Sequence, residues 1–508
     1  MRSILALVAF LFFSACTFVT ENYYIYEVPS VEFPTTDTAE EFTDTGIEHI
    51  PSTDRTCSDS PDEFTASVWE TDGIEYHFEV SSEELEQMNE DWLEGWWGGG
   101  YYVYEVGDEE SQTYSNPACI ADPMNGVNAN FGQVQLKITG QSTGVEWTAT
   151  SIPPLSLDLG EFVDGQVLGA DETRWAAFHP GTISYVFSEP TTYAILDAIG
   201  EPVPRTSLAW VSSNVWGDGI RIPYNAVEKY KLDWCEDHAD DLGGGCVNMW
   251  EGVGDFNSHM FSWLTDDCEL NGIECDETNL RELVNVLAST SYDDNFEEAT
   301  SAYLDWPAIK RSMCGSWMLW IGDDAFHNTN NVVTVEQANG LFRLLYYSVD
   351  LSAGASGWYQ YTTLTGWNTL ANGCYFDADC WQSTMDTCEG MIEDFVEADP
   401  VGIVDNFWGR LQAEGMVRGG DEAEYERIRA WYEARVEELP AELQCYRDEY
   451  AEWLSGSSEI FDTGYWPSDS FADDSWPRDS VMYGGGEADT GGMGGYNCAM
   501  MMDEYLYQ

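Results

Sequence analysis

Positive charge is scarce in this sequence. Nineteen Lys and Arg residues stand against 92 Asp and Glu, a formal charge of −73. Nucleic acid is thereby excluded as a partner, because binding it rests on cations that neutralise phosphates. Docking on anionic lipid headgroups is excluded for the same reason. No later segment is apolar over the ~20 residues a membrane-spanning helix needs. CxxC pairs are absent and the six histidines are scattered, so the cysteines do not read as zinc ligands. No period of 20 to 50 residues marks a solenoid or propeller. What remains is 44% hydrophobic and 14% aromatic, enough for a sizeable core beneath an acidic surface.

The N-terminus reads as an export signal. Arg2 is followed by an almost unbroken apolar run over residues 4–13, then by the small residues Ser14 and Ala15. Phe13-Ser14-Ala15-Cys16 resembles the bacterial lipobox, with Phe13 where the pattern prefers Leu, and implies a lipid on Cys16. The competing reading is ordinary cleavage after Ala15. Removing Cys16 from the 13 cysteines leaves an even number, which suits disulfides in an oxidising compartment. Cys235 with Cys246, Cys268 with Cys275 and Cys374 with Cys380 are spaced as local staples. Pairings among Cys57, Cys119, Cys314, Cys388, Cys445 and Cys498 are not readable from spacing. The expected address is the cell envelope, at the outer membrane or cell surface.

Composition divides the chain into a signal (1–15), an acidic tether (16–60), a folded region (61–455) and an acidic Gly-rich tail (456–508). The first half of the folded region reads as β, with strand-like runs at 65–69, 76–80, 133–139, 207–212 and 219–222. The second half reads as helix. Leu280, Leu283, Val284 and Leu287 share one helical face, as do Ile309, Met313, Trp317 and Trp320, and Trp381, Met385, Cys388, Ile392 and Phe395. Residues 421–454 form a long helical stretch with an interruption expected at Pro440. The fold class is α+β.

One segment has the pattern of a chemical site. A helix ends near Ile321, Asp323 and Asn328 follow five apart, and a hairpin turning at Asn339-Gly340 ends on Asp350. Folding the hairpin back brings Asp350 toward Asn328. Hard oxygen ligands so placed suit magnesium, which keeps positions for water and phosphate. Phosphoryl transfer uses the same parts: an Asp at the acceptor hydroxyl, an Asn on the metal and a second Asp on metal and phosphates. Asp324 equals Asp323 on local grounds, and the five-residue spacing favours Asp323. Acid-rich loops at Asp266-Asp267 and Asp377-Ala378-Asp379 offer structural calcium sites without the EF-hand pattern, and solvated loops are the simpler reading.

The segment resembles the CotH kinases, secreted or surface proteins of atypical kinase fold, over roughly residues 130–360. Residues 134–142 (VQLKITGQS) are similar to the family's strand ending in Gly-Asn-Ser, with Lys137 in place of an Arg. His327-Asn328 matches its His-Asn pair, and residues 346–354 (YYSVDLSAG) align with its Pro-Trp-Asp-x-Asp-x-x-x-Gly. The resemblance implies a two-lobed kinase-like fold, β-rich then helical, with magnesium or manganese and ATP as cofactors. It implies Asp323 as the catalytic acid, Asn328 and Asp350 as metal ligands, Lys137 on the nucleotide side, and Ser or Thr of surface proteins as acceptors. Tyr346, Tyr347 and Ser348 stand where the family has Pro-Trp-Asp. Asn225 stands where the family has a Glu, and no lysine precedes the strand at 153–157. The alternative is a structural or adhesive surface lipoprotein that keeps the fold without the chemistry.

Overall fold

A computed structural model of the chain describes residues 66–97, 115–122, 127–139, 147–180, 185–217, 219–252, 275–291, 295–327, 331–350, 352–353, 363–365 and 368–455. Cys16, the 16–60 tether, the 456–508 tail, Asn328 and the Asp266-Asp267 loop lie outside the described residues.

Seven strands close into a barrel. They are β1 (Ile74–Phe78), β2 (Ser115–Asp122), β3 (Val127–Ile138), β4 (Leu155–Asp158), β5 (Trp175–Pro180), β6 (Thr206–Ser213) and β7 (Arg221–Glu228), in the order β1-β2-β3-β4-β5-β7-β6. Neighbours run antiparallel except β1 with β6, whose parallel pairing shuts the barrel. The two-residue side-chain period sends Leu136, Leu155, Leu157, Phe178, Val211 and Tyr224 into one interior core. Leu208, Trp210 and Val227, on the other face of β6 and β7, join a second core with the helices. These two strands are therefore apolar on both faces.

α1 (Ser82–Trp97) follows β1, and α2 (Tyr185–Ala198) is inserted between β5 and β6, packing on β6 and β7. The later elements are α3 (Leu232–Asp237), β8 (Cys246–Gly252), α4 (Thr278–Ser289), α5 (Phe296–Thr300), α6 (Trp306–Leu319), β9 (Val332–Gln337), β10 (Phe342–Tyr346), α7 (Thr369–Phe376), α8 (Ala378–Glu397), α9 (Pro400–Ala413) and α10 (Asp421–Leu454). Strands β10-β9-β8 form a small antiparallel sheet. α6 starts where Asp305 accepts the Ala308 N–H and Pro307 occupies the first turn, a position that loses no hydrogen bond. It ends at Trp320, whose left-handed backbone (φ 48°) breaks the helix and releases the loop bearing Asp323. Gly340, at φ 83°, supplies the hairpin turn.

The mixed α+β class, the three apolar helix faces and the β9–β10 hairpin agree with the sequence. Three expectations do not. Residues 66–70 are turn rather than strand, with Asp171 accepting from the Ser67 hydroxyl and the Val68 N–H. α10 runs unbroken through Pro440; a proline interrupts a helix by removing one N–H and crowding one carbonyl, and buried Leu439, Leu443, Tyr446 and Tyr450 hold the two halves in line. Asp377, read as part of a solvated acidic loop with calcium as the rival, is a buried cap of α8. It accepts the Asp379 and Cys380 N–H groups with one oxygen and the Glu297 N–H with the other. Cys235–Cys246 and Cys374–Cys380 form the expected local disulfides, and Cys314–Cys388 ties α6 to α8. Disulfides are compatible with export. No described helix is long and apolar enough to cross a membrane.

Candidate functional site

β5 and α2 are adjacent in sequence and bring a cation and an acid together. His179, near the end of β5, points its Nδ1 at both oxygens of Glu189, 2.7 and 2.9 Å away. Glu189 is fully buried in a helix otherwise anchored by Phe187, Tyr193, Ile195 and Leu196. Burial alone lowers the imidazole's proton affinity, but Glu189 and then Asp350 act against it, and the net shift is upward. His179 is thus held toward the imidazolium.

Asp350 arrives from the hairpin. The chain leaving β10 is fixed by hydroxyls of α2 and of the connection after β7. Tyr230 donates to Tyr346 O at 2.6 Å, Tyr193 accepts the Ser348 N–H at 3.0 Å, and Ser188 of α2 donates to Asp350 O at 2.8 Å. Ser348 takes a left-handed backbone (φ 50°), uncommon for a residue with a side chain, and its hydroxyl donates to Asp350 Oδ1 at 2.9 Å. Burial first, then the charge of Glu189, push the Asp350 carboxyl up to about 7, against the Ser348 bond and His179. Burial and Glu189 thus disfavour the ionised Asp350, while Glu189 and Asp350 favour the protonated His179.

A sheet face carrying two lysines borders it. Lys137 on β3 lies opposite Ser156 on β4, which lies opposite Ala177 on β5, which lies opposite Val227 on β7. These four share one face of the sheet, on the side where Ala177 and Val227 meet the helical core. Lys229 Nζ donates to Ser156 Oγ at 3.2 Å, and its charge reaches His179. The whole chain has four lysines; two of them flank Ser156.

The loop after α6 separates the two neighbouring acids. Asp324 is buried, and its Oδ1 accepts the Phe326 and His327 N–H groups at 3.0 and 2.7 Å and the His327 ring at 2.9 Å. The other ring nitrogen of His327 meets Thr363 O at 2.6 Å. Burial opposes the charged ring, yet Asp324 raises its proton affinity overall. Asp324 and His327 are thus spent on holding the loop. Asp323 is the more accessible acid, its Oδ2 accepting from Asn331 Nδ2 at 2.9 Å. The charges acting on Asp350 come from Glu189 and His179. No cluster of three or more His, Cys, Asp or Glu suited to a metal is present among the described residues.

Sequence reading missed His179 and Glu189. A glutamate in an apolar helical segment, ten residues after a histidine closing an alternating strand (WAAFHP), is the signal that marks them. Asn225, read as the place of a lost acid, is the register partner of His179, whose ring meets Glu189.

No family model matches this chain, and no curated protein does. Among solved structures it aligns with HipA from the Shewanella oneidensis MR-1 toxin–antitoxin complex of HipA, HipB and operator DNA. The alignment covers 74% of each chain at 11% identity with a TM-score of 0.29, too low to carry an argument about fold or function.

Proposed function

We propose that this chain is an exported, kinase-like protein, anchored through Cys16, that binds magnesium–ATP and transfers phosphate to Ser or Thr hydroxyls of surface proteins. One observation carries the reading: His179, Glu189 and Asp350 converge from a strand, the helix after it and the end of a later hairpin. In protein kinases a strand cation pairs with a helix glutamate near an aspartate that holds metal. Here a histidine replaces the lysine. The two-lobed CotH-like architecture belongs to this proposal.

The residues present fit the cofactor. Asp350 is a hard oxygen donor whose ionisation a nearby dication would favour. Magnesium needs only one or two protein oxygens, and Asp350 supplies one. Lys137, Lys229 and His179 offer the cations a triphosphate requires. The bound metal would supply charge neutralisation at the transferring phosphoryl group. Asp323 would accept a hydrogen bond from the acceptor hydroxyl and orient it. Glu189 holds the His179 proton in place.

A catalytically silent relative is the second reading, favoured by the bond that ties Asp323 to Asn331. Incubating residues 17–508, oxidised, with labelled ATP and magnesium or manganese separates the two. Incorporation abolished by Asp323→Ala and by Asp350→Ala supports transfer. A nucleotide-dependent thermal shift that Asp350→Ala removes, without incorporation, supports the silent reading. Neither signal in the parent chain would sink the proposal.

A further inference from the structure

The segments carrying Asp323 and Asp350 are both fastened to one helix, α10. The last carbonyls of a helix lack intrahelical partners, and at the end of α6 three of them are bonded by groups from elsewhere. Arg435 of α10 donates from Nε to Met318 O at 2.9 Å and from Nη2 to Trp317 O at 3.0 Å. The Ala353 N–H takes Leu319 O at 2.9 Å. The Ala353 carbonyl accepts in turn from Arg427 Nη1 at 2.9 Å, about two turns before Arg435 on α10. The turn after Asp350 is thus laced to the end of α6 and to α10 at once. Tyr432, between the two arginines, approaches Thr192 Oγ1 of α2, which bonds Ser352 Oγ at 2.6 Å.

Arg435 is more than filler. It is 1% exposed, pairs through Nη1 with Glu442, and lies 5.4, 5.5 and 6.0 Å from the rings of Trp317, Trp320 and Trp431. Glu442 accepts from Trp317 Nε1 at 2.6 Å with its other oxygen. Apolar residues often serve stability as well as a buried ion pair does. A planar guanidinium forked onto two successive carbonyls also fixes position, which an apolar side chain cannot.

We infer that Arg435 and Arg427 are positioning residues that set the spacing between the Asp323 loop and Asp350, by holding the end of α6 and the turn after Asp350. The consequence for catalysis rests on the phosphotransfer reading; the clamp is tested apart from it. Amide exchange by mass spectrometry on the full oxidised chain compares the parent with the double variant Arg435→Met, Glu442→Gln, which removes both buried charges. Peptides covering 317–327 and 349–353 are expected to exchange at least tenfold faster, together, while β6 and β7 keep the parent rate. The turnover for phosphate transfer should fall at least thirtyfold with the KM for ATP within threefold, and Arg435→Lys should restore part of it. Parent exchange rates in both segments of a folded double variant overturn the inference, as does parent turnover in that variant. Faster exchange in a parent-like background that transfers no phosphate leaves the clamp standing and removes the phosphotransfer reading. Should the double variant not fold, Arg427→Gln, at the more exposed end, must speed exchange in 349–353 alone; unchanged exchange there overturns the inference equally.

Discussion

Replacing Asp350 by Asn tests the site through stability, before any catalysis is assayed. The carboxyl is pushed from its ordinary 3.8 up to about 7 by burial and by Glu189. The folded state therefore holds this proton more tightly than the unfolded chain does. As pH rises from about 4 to about 7 the unfolded carboxyl ionises first, and folding stability falls across that window. Each tenfold in proton affinity is worth about 1.4 kcal/mol, so the full effect at pH 8 reaches ~4 kcal/mol as an upper bound. His179 shares the titration, and the site relaxes when charged, so a gain of about 2 kcal/mol for Asp350→Asn at pH 8 is the expected value. Below pH 4 the gain should vanish.

His179 works in the same direction. Its raised proton affinity contributes stability below the ordinary pKa of about 6.5, lost as pH rises through the folded value. The general repulsion among 92 acids also weakens the fold as pH rises, so only the difference between parent and variant is diagnostic. Urea unfolding at pH 4, 6 and 8 gives that difference. A variant as stable as the parent, or less, at pH 8 would refute the account of Asp350. Adding magnesium at pH 8 should stabilise the parent and leave Asp350→Asn unmoved, because the cation relieves the same buried charge.

Three further substitutions probe the frame around the site. Pro440→Ala, exposed on α10, restores an N–H and relieves one carbonyl, so stability should rise by about 1–3 kcal/mol; no gain would mean that the helix is not continuous there. Cys314→Ser opens a disulfide spanning 74 residues and should cost about 2–4 kcal/mol under oxidising conditions, with reductant bringing the parent close to the variant. Gly315→Ala places a methyl 2.2 Å from Tyr346 Oη, whose hydroxyl bonds Ser312 O at 2.9 Å. A loss of about 1–3 kcal/mol is expected from such overpacking, and thermal melting at parent temperature would contradict it.

The legible parts of the fold were those written within one turn or one hairpin. α6, the Asn339-Gly340 turn and Asp350 follow from periodicity and turn chemistry over some 45 residues. Barrel closure was not legible, because β1 pairs with β6 in parallel across more than 130 residues and neither strand signals its partner. The same distance hid the core of the site. His179 and Glu189 sit ten residues apart on elements of different type, and they acquire meaning only when Asp350 arrives from 160 residues away. The five-residue spacing favoured Asp323 over Asp324 but gave no physical reason for the ranking. That needed the capping bonds which bury Asp324 and leave Asp323 more accessible. The scarcity of positive charge turns out to be the most informative global feature. In a chain with four lysines, Lys310 is committed to Glu297 and Lys231 precedes α3. Lys137 and Lys229 both flank Ser156 on the sheet face beside His179. A surface this acidic repels anions nearly everywhere, so a sheet face that carries two lysines gives an anionic ligand a physical reason to bind there.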